Sequence, residues 1–301
     1  MPWGRSLSEN RTRFVKTADG RTLAFEEYGD PGGTPVFLLH GTPGCRLSGR
    51  HPDESRVIDA GLRVVTYDRP GYGQSARNKG RHVVDCVADV AAIADELGID
   101  RFFVKGGSGG GPHALAVGAR LPERVTRVAC DVGVAPYEAD DIDWLDGMDP
   151  ANVKEFKWAL AGEDTLRPEL ERQAKEAIAK VEADPKALLN DFKLSPADLA
   201  VLEDPRVQQR LRATTREAFA NGVSGWVDDD LAFTTSWGFD VSELEVPVEI
   251  RYGATDVLVP AGHGAWLAAH IPHATVTVDD TGGHLSNPDE GLEQLRELVA
   301  A

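Results

Sequence analysis

Five residues constrain this chain more than any others: Gly106-Gly107-Ser108-Gly109-Gly110, set between the apolar run Phe102-Phe103-Val104 and the helix-forming segment Pro112-His113-Ala114-Leu115-Ala116. Glycines two residues before and two after a serine are what a sharp strand-to-helix turn requires. The turn strains the serine backbone and leaves no room for side chains beside it. It lifts the hydroxyl above the sheet and aims the N–H groups of the next helix at the same point. A flexible glycine–serine linker would not lie between a strand and a helix. A phosphate-binding loop would continue into Gly-Lys-Ser/Thr, and here Pro112 takes the last glycine position of one Gly-x-Gly-x-x-Gly frame. Pro112 suits the first helical turn, where a missing N–H costs nothing. Ser108 is the candidate nucleophile.

The rest of the chain supplies the sheet this turn needs. Residues 13–28 read as a hairpin around Ala18-Asp19-Gly20. Apolar runs of strand length follow at Pro35–Leu39, Leu62–Tyr67, Arg101–Lys105, Val125–Cys130, Val246–Tyr252 and Ala274–Val278, as expected for strands buried on both faces. Helical patterns at 83–97, 112–121 and 288–300 lie between or after them. This alternation predicts an α/β fold, a mostly parallel sheet flanked by helices. From 136 to 237 the strand runs vanish, and helices are expected at 151–162, 167–183, 186–192, 196–203 and 205–221. Because strands resume at Val246, the block reads as a helical cap (lid) inserted into one core domain formed by 1–135 and 238–301.

Composition excludes some partners. The 301 residues carry 32 basic and 49 acidic side chains, a net charge of −17, which disfavours nucleic acid and anionic membrane surfaces. No run reaches the roughly 20 apolar residues that span a bilayer, and Met1–Phe14 contains no signal-peptide core. Cys45, Cys86 and Cys130 are odd in number and far apart, with no Cys-x-x-Cys pair, so reduced thiols, no cysteine-bound metal and a cytoplasmic location are expected. The partner expected is a small-molecule substrate; oligomeric state is not readable.

A tetrahedral acyl intermediate needs two preorganised N–H donors. The residue after the nucleophile, Gly109, supplies one, and the loop His40-Gly41-Thr42-Pro43-Gly44 after the first long strand supplies the other. Pro43 has no N–H, which leaves Thr42. Together with Asp68-Arg69-Pro70-Gly71-Tyr72-Gly73-Gln74-Ser75, these motifs resemble those of the α/β-hydrolases, specifically the capped branch of proline iminopeptidases and related esterases and lactonases. The resemblance covers essentially the whole chain and implies that Asp68–Ser75 is a structural loop.

The resemblance also implies the chain order Ser, then Asp or Glu, then His. Asp256 follows Val246–Tyr252 and is the candidate acid, with Asp131 as its competitor, since some relatives carry the acid after the earlier strand. His284, in Thr281-Gly282-Gly283-His284, follows the last strand and is the candidate base. His40 reads as a residue behind the oxyanion loop or at the pocket, and His113 and Trp237 as pocket or packing residues. His51, His82, His263, His270 and His273 have no supporting motif and read as solvated.

These parts predict acyl transfer through an acyl-enzyme, with no metal or organic cofactor. A serine at 108 argues against the epoxide hydrolases and dehalogenases of this fold, which use aspartate. The substrate is expected to be a small ester, lactone or amide. An iminopeptidase-like enzyme would instead seat a free amine on cap carboxylates, for which Glu138, Asp140, Asp141, Asp143 and Asp228-Asp229-Asp230 are candidates; the plainer reading of these runs is a solvated acidic face. Thr42 and Gly109 both depart from the peptidase pattern. The same motifs are also compatible with a non-catalytic ligand-binding protein, and with cofactor-free perhydrolysis or oxygenation.

Overall fold

The structure is a computed structural model that describes residues 11–300; the first ten residues of the N-terminal segment lie outside them. The hairpin forms as β1 (Arg13–Lys16) and β2 (Thr22–Gly29), followed by β3 (Thr34–Leu39), α1 (Glu54–Asp59), β4 (Leu62–Tyr67), α2 (Cys86–Glu96), β5 (Phe102–Gly107), α3 (Gly110–Arg120) and β6 (Val125–Asp131). After the insertion come β7 (Val248–Gly253), α9 (Ala261–His270), β8 (Thr275–Asp279) and α10 (Pro288–Ala300). Among the described residues these strands form one sheet in the order β1-β2-β4-β3-β5-β6-β7-β8, parallel from β4 onward and antiparallel at β1 and β2.

This order brings the carboxyl ends of distant segments to one rim. Leu39 pairs with Gly106, Gly107 with Asp131, Asp131 with Arg251, and Gly253 with Asp279. The loops after β3, β5, β6, β7 and β8 therefore begin level with one another. The strand order reverses between β3 and β5, the switch point at which open α/β sheets hold ligands. The main core lies on one face, where Phe37, Phe102, Val104, Leu115 and Val128 pack beneath α2 and α3. Val36, Val64, Ala129, Leu292 and Leu298 close the other face. Cys45, Cys86 and Cys130 are buried free thiols. No helix among the described residues is long and apolar enough to cross a membrane.

Two expectations about burial fail here. The final apolar run does form β8, yet it is exposed along its whole length, with Val276 and Val278 at 45% and 44% exposure. β8 is an edge strand, with nothing beyond it in the sheet among the described residues. His51 and His263, read as solvated, are buried; the Nδ1 of His263 accepts from the Ala135 N–H at 3.1 Å.

Between β6 and β7 the insertion folds as α4 (Pro150–Leu160), α5 (Glu163–Ala183), α6 (Pro196–Leu202), α7 (Pro205–Ala218) and α8 (Ser224–Phe233). Three of these start on proline behind a capping side chain: Asp149 accepts from Ala151 N, Ser195 from Asp198 N and Asp204 from Arg206 N. The segment expected as a helix at 186–192 is only a 3-10 turn at Pro185–Leu189. Helix α8 has no counterpart among the helices expected from sequence. Its Asp228-Asp229-Asp230 run reads from sequence as a solvated acidic face, but all three are buried.

Candidate active site

Ser108 sits on the turn between β5 and α3 with φ 54°, a left-handed conformation that is costly for a residue with a side chain. Its N–H donates to Asp131 O at 2.9 Å, and its carbonyl accepts from Gly111 N at 2.8 Å. The flanking glycines are sterically required. A β-carbon on Gly106 would lie 2.9 Å from Gly111 N and closer still to the Gly110 carbonyl. One on Gly110 would lie 2.7 Å from His40 O, and one on Gly111 2.7 Å from Cys130 Sγ.

The loop after β3 packs directly on this turn. A β-carbon on Gly41 would stand 3.4 Å from Ser108 Cβ. Neither the Thr42 nor the Gly109 amide donates to a protein acceptor among the described residues. The Thr42 hydroxyl donates to Asp229 Oδ2 at 2.6 Å and accepts from Arg69 Nη2 at 2.9 Å. A β-carbon on Gly109 would lie 2.8 Å from Thr42 Cβ and 2.9 Å from Phe233 Cζ. The two departures from the peptidase pattern are thus one feature, since the side chain at 42 fills the space that any side chain at 109 would need.

Behind this loop lies a buried ionic cluster. Asp229 on α8 accepts from Arg69 Nη2 at 2.6 Å and Tyr72 Oη at 2.9 Å, and forms an ion pair with Arg81, Oδ1 lying 2.7 Å from Nη2. Burial alone would raise its pKa, but the Arg69 and Arg81 charges hold it well below the carboxylate range. Arg69 also bonds the His40 carbonyl, and its N–H donates to His40 Nε2 at 3.1 Å. One carboxylate is shared by two guanidinium groups here, which lowers the cost of burying each of them away from water.

Asp256, in the loop after β7, is buried, and its Oδ1 accepts from Leu258 N at 2.8 Å and Val259 N at 2.9 Å. Its Oδ2 lies 2.7 Å from Nδ1 of His284, in the loop after β8. Burial pushes the His284 pKa down, but the charge and hydrogen bond of Asp256 and the charge of Asp198 outweigh it, so the pKa is raised. The competitor Asp131 is turned elsewhere, bonded to Lys105.

Two cavities meet here, of about 890 and 510 Å³, and both are bordered by Gly41, Ser108, Thr214, His284 and Leu285. The expected pocket residues are placed otherwise. His40 borders the larger cavity, but its ring nitrogens are engaged by Gly41 O and Arg69 N. His113 is buried with Nδ1 2.7 Å from Gly109 O, and burial pushes its pKa down to about 3. Trp237 is buried in the core, stacked on Phe239. Neither His113 nor Trp237 borders either cavity.

The candidate carboxylates separate into two kinds. Glu138, Asp140, Asp141 and Asp143 lie at the surface, as a solvated acidic face would. Asp228 is buried against Arg77, with Oδ1 2.7 Å from Nη2. Asp230 borders the smaller cavity with Glu155, which the sequence did not single out. Glu155 Oε1 accepts from Trp226 Nε1 at 2.9 Å, while Asp230 Oδ2 is buried without a hydrogen-bond partner. Burial raises the Glu155 pKa to about 7; burial, then the Glu155 and Asp229 charges, raise that of Asp230.

Known proteins resemble this chain. The chain is 26% identical over 277 residues to the uncharacterised hydrolase YcgS of Bacillus subtilis, covering 89% of this chain and 90% of that one. It is 27% identical over 295 residues to the proline iminopeptidase of Neisseria meningitidis, covering 91% of each. A solved hydrolase from Pseudomonas aeruginosa superposes with a TM-score of 0.70 at 21% identity, over 98% of this chain and 100% of that one. The profile described as alpha/beta hydrolase fold matches residues 34–291. The chain belongs to the α/β-hydrolase fold family.

Proposed function

We propose that the protein is a serine hydrolase that cleaves a small ester, lactone or amide through an acyl-enzyme on Ser108. The observation that carries this reading is the Asp256 Oδ2–His284 Nδ1 pair at 2.7 Å, whose histidine borders the same two cavities as a serine strained on a glycine-walled turn. Asp256 holds the proton on Nδ1, which leaves Nε2 to accept the Ser108 proton as Oγ attacks the carbonyl carbon. The oxyanion is received by the amides of Thr42 and Gly109. His284 returns the proton to the leaving group, and water repeats the cycle on the acyl-enzyme to release the acid. Residues 136–237 act as a cap: α4, α5 and α7 wall the smaller cavity, and α6 and α7 the larger.

One observation favours a narrower substrate. Glu155, half-buried, and Asp230, buried with one oxygen unpaired, both border the smaller cavity, and an ammonium group is the complement of two carboxyls so placed. The likeness to proline iminopeptidases supports an acyl group that bears a free amine. The test uses a fluorophosphonate probe, p-nitrophenyl acetate and proline p-nitroanilide. Stoichiometric labelling lost in Ser108→Ala, with ester turnover, supports the hydrolase; no labelling and no turnover rejects it in favour of a binding protein. Turnover only with peroxide or dioxygen present would move the reading to perhydrolysis or oxygenation. Glu155→Gln and Asp230→Asn should raise KM for the amine-bearing substrate and leave the acetate unaffected.

A further inference from the structure

The motif Thr281-Gly282-Gly283-His284 meets a carboxylate in space that the proposed reaction does not use. Asp198 lies on α6 and is fully buried, yet it forms no ion pair among the described residues. Its Oδ1 accepts from the main-chain N–H of His284 and of Leu285, both at 2.7 Å. Its Oδ2 accepts from Ser195 Oγ at 2.8 Å, and Ser195 Oγ accepts in turn from Asp198 N at 3.1 Å. A buried carboxylate with no cation is expensive unless its hydrogen bonds have a use, and two of these three go to the backbone carrying the candidate base. A β-carbon on Gly283 would overlap the Asp198 carboxylate and Ser195 Oγ, so the glycine is what admits the contact.

Resting on the proposed hydrolase reading, we infer that Asp198 is a positioning residue for His284, fixing the base loop to the helical insertion so that the imidazole is held for proton transfer only while α6 is docked. The insertion is then a working part of the site as well as a wall of it. The charges facing the imidazole are Asp256 from the loop after β7 and Asp198 from α6, and both favour the protonated ring. His263 of α9 also feels the charge of Asp256.

The two substitutions at 198 separate tether from charge. Asparagine keeps an oxygen for the two N–H groups and removes the charge; alanine removes both. The experiment is kcat and KM for p-nitrophenyl acetate from about pH 5 to pH 9, on the full chain, with circular dichroism to check folding. Asp198→Asn should keep kcat within about threefold above the acid limb and move that limb to lower pH by about half a unit, since His284 loses a charge that favours its protonated form. Asp198→Ala should lower kcat about 30-fold or more with KM little changed, the cost of a base displaced by a fraction of an ångström. Gly283→Ala, which drives the carboxylate away, should copy that loss. An unmoved limb in Asp198→Asn, or parental kcat in Asp198→Ala, overturns the inference; if the alanine variant fails to fold, the limb of the asparagine variant decides. Fluorophosphonate labelling keeps the two levels apart. A parent that labels at Ser108 and turns over, matched by both variants, sinks this inference alone, whereas a parent that never labels sinks the reading beneath it.

Discussion

Adding one methyl group at position 109 tests whether Thr42 and Gly109 share a single space. In Gly109→Ala the new carbon would stand 2.8 Å from Thr42 Cβ and 2.9 Å from Phe233 Cζ, both inside any contact a real Cβ makes. Thr42 cannot yield by rotating, because its hydroxyl is held by Asp229 at 2.6 Å and Arg69 at 2.9 Å. Overpacking of this kind costs about 1–3 kcal/mol. The strain falls on the amide proposed to bind the oxyanion, and losing one such donor lowers kcat by about 10²–10³. Thr42→Gly alone removes a donor to Asp229, which keeps Arg69, Arg81 and Tyr72, a cost of about 1–2 kcal/mol. In the double variant Phe233 is the remaining close neighbour, so most of the overpacking disappears. Urea unfolding of the four proteins should give a favourable coupling of about 1 kcal/mol or more, beyond the roughly 0.5 kcal/mol scatter of independent sites. If Gly109→Ala costs the same with Thr or Gly at 42, the shared-space argument is wrong.

Three further outcomes follow from the same geometry. Asp256→Asn keeps an oxygen for the Leu258 and Val259 amides but presents N–H to His284 Nδ1, fixing the wrong tautomer; ester kcat should fall by about 10⁴ with little change in urea stability, and a loss under tenfold would count against Asp256 as the acid. Asp229→Ala strands Arg69 and Arg81 in a buried site and should cost about 3–5 kcal/mol. Because the Asp229 pKa is held low, its contribution is present above the ordinary carboxylate pKa and fades as acid titrates it, so the stability gap to the parent should narrow below about pH 4; a gap that stays constant in acid refutes the assignment. For the parent, the proposed mechanism needs neutral His284 for kcat/KM, and the raised pKa of that ring puts the acid limb above its ordinary value of 6.5; a pH–rate profile with its limb below that value would contradict the Asp256 and Asp198 contacts.

What the sequence discloses and what it hides divide along a physical line. The placement of the candidates Ser108, Asp256 and His284 is legible because each follows a strand end, and a parallel sheet delivers all its strand ends to one rim whatever the loops contain. The glycines around Ser108 are legible for a similar reason, since the turn's own backbone demands them. The triple aspartate is not. Whether an acidic run faces water or is buried depends on partners, and those of Asp228 and Asp229 are Arg77, Arg69 and Arg81, about 150 residues earlier in the chain. No local periodicity carries that information, and so α8 escapes notice in the sequence while more regular helices of the insertion stand out. Asp198 and Glu155 are hidden in the same way, each being an ordinary helical acid until the fold sets it against the His284 loop or Asp230. The signal that could expose them is the charge itself. In Arg69-Pro70-Gly71-Tyr72-Gly73 the arginine lies within a glycine-rich loop next to the oxyanion loop, and a guanidinium so placed needs a carboxylate from somewhere else in the chain. Thr42 and Gly109 make the same point in the opposite sense: taken singly each looks like a loss of the peptidase pattern, and only contact between the two loops turns them into one substitution of shape.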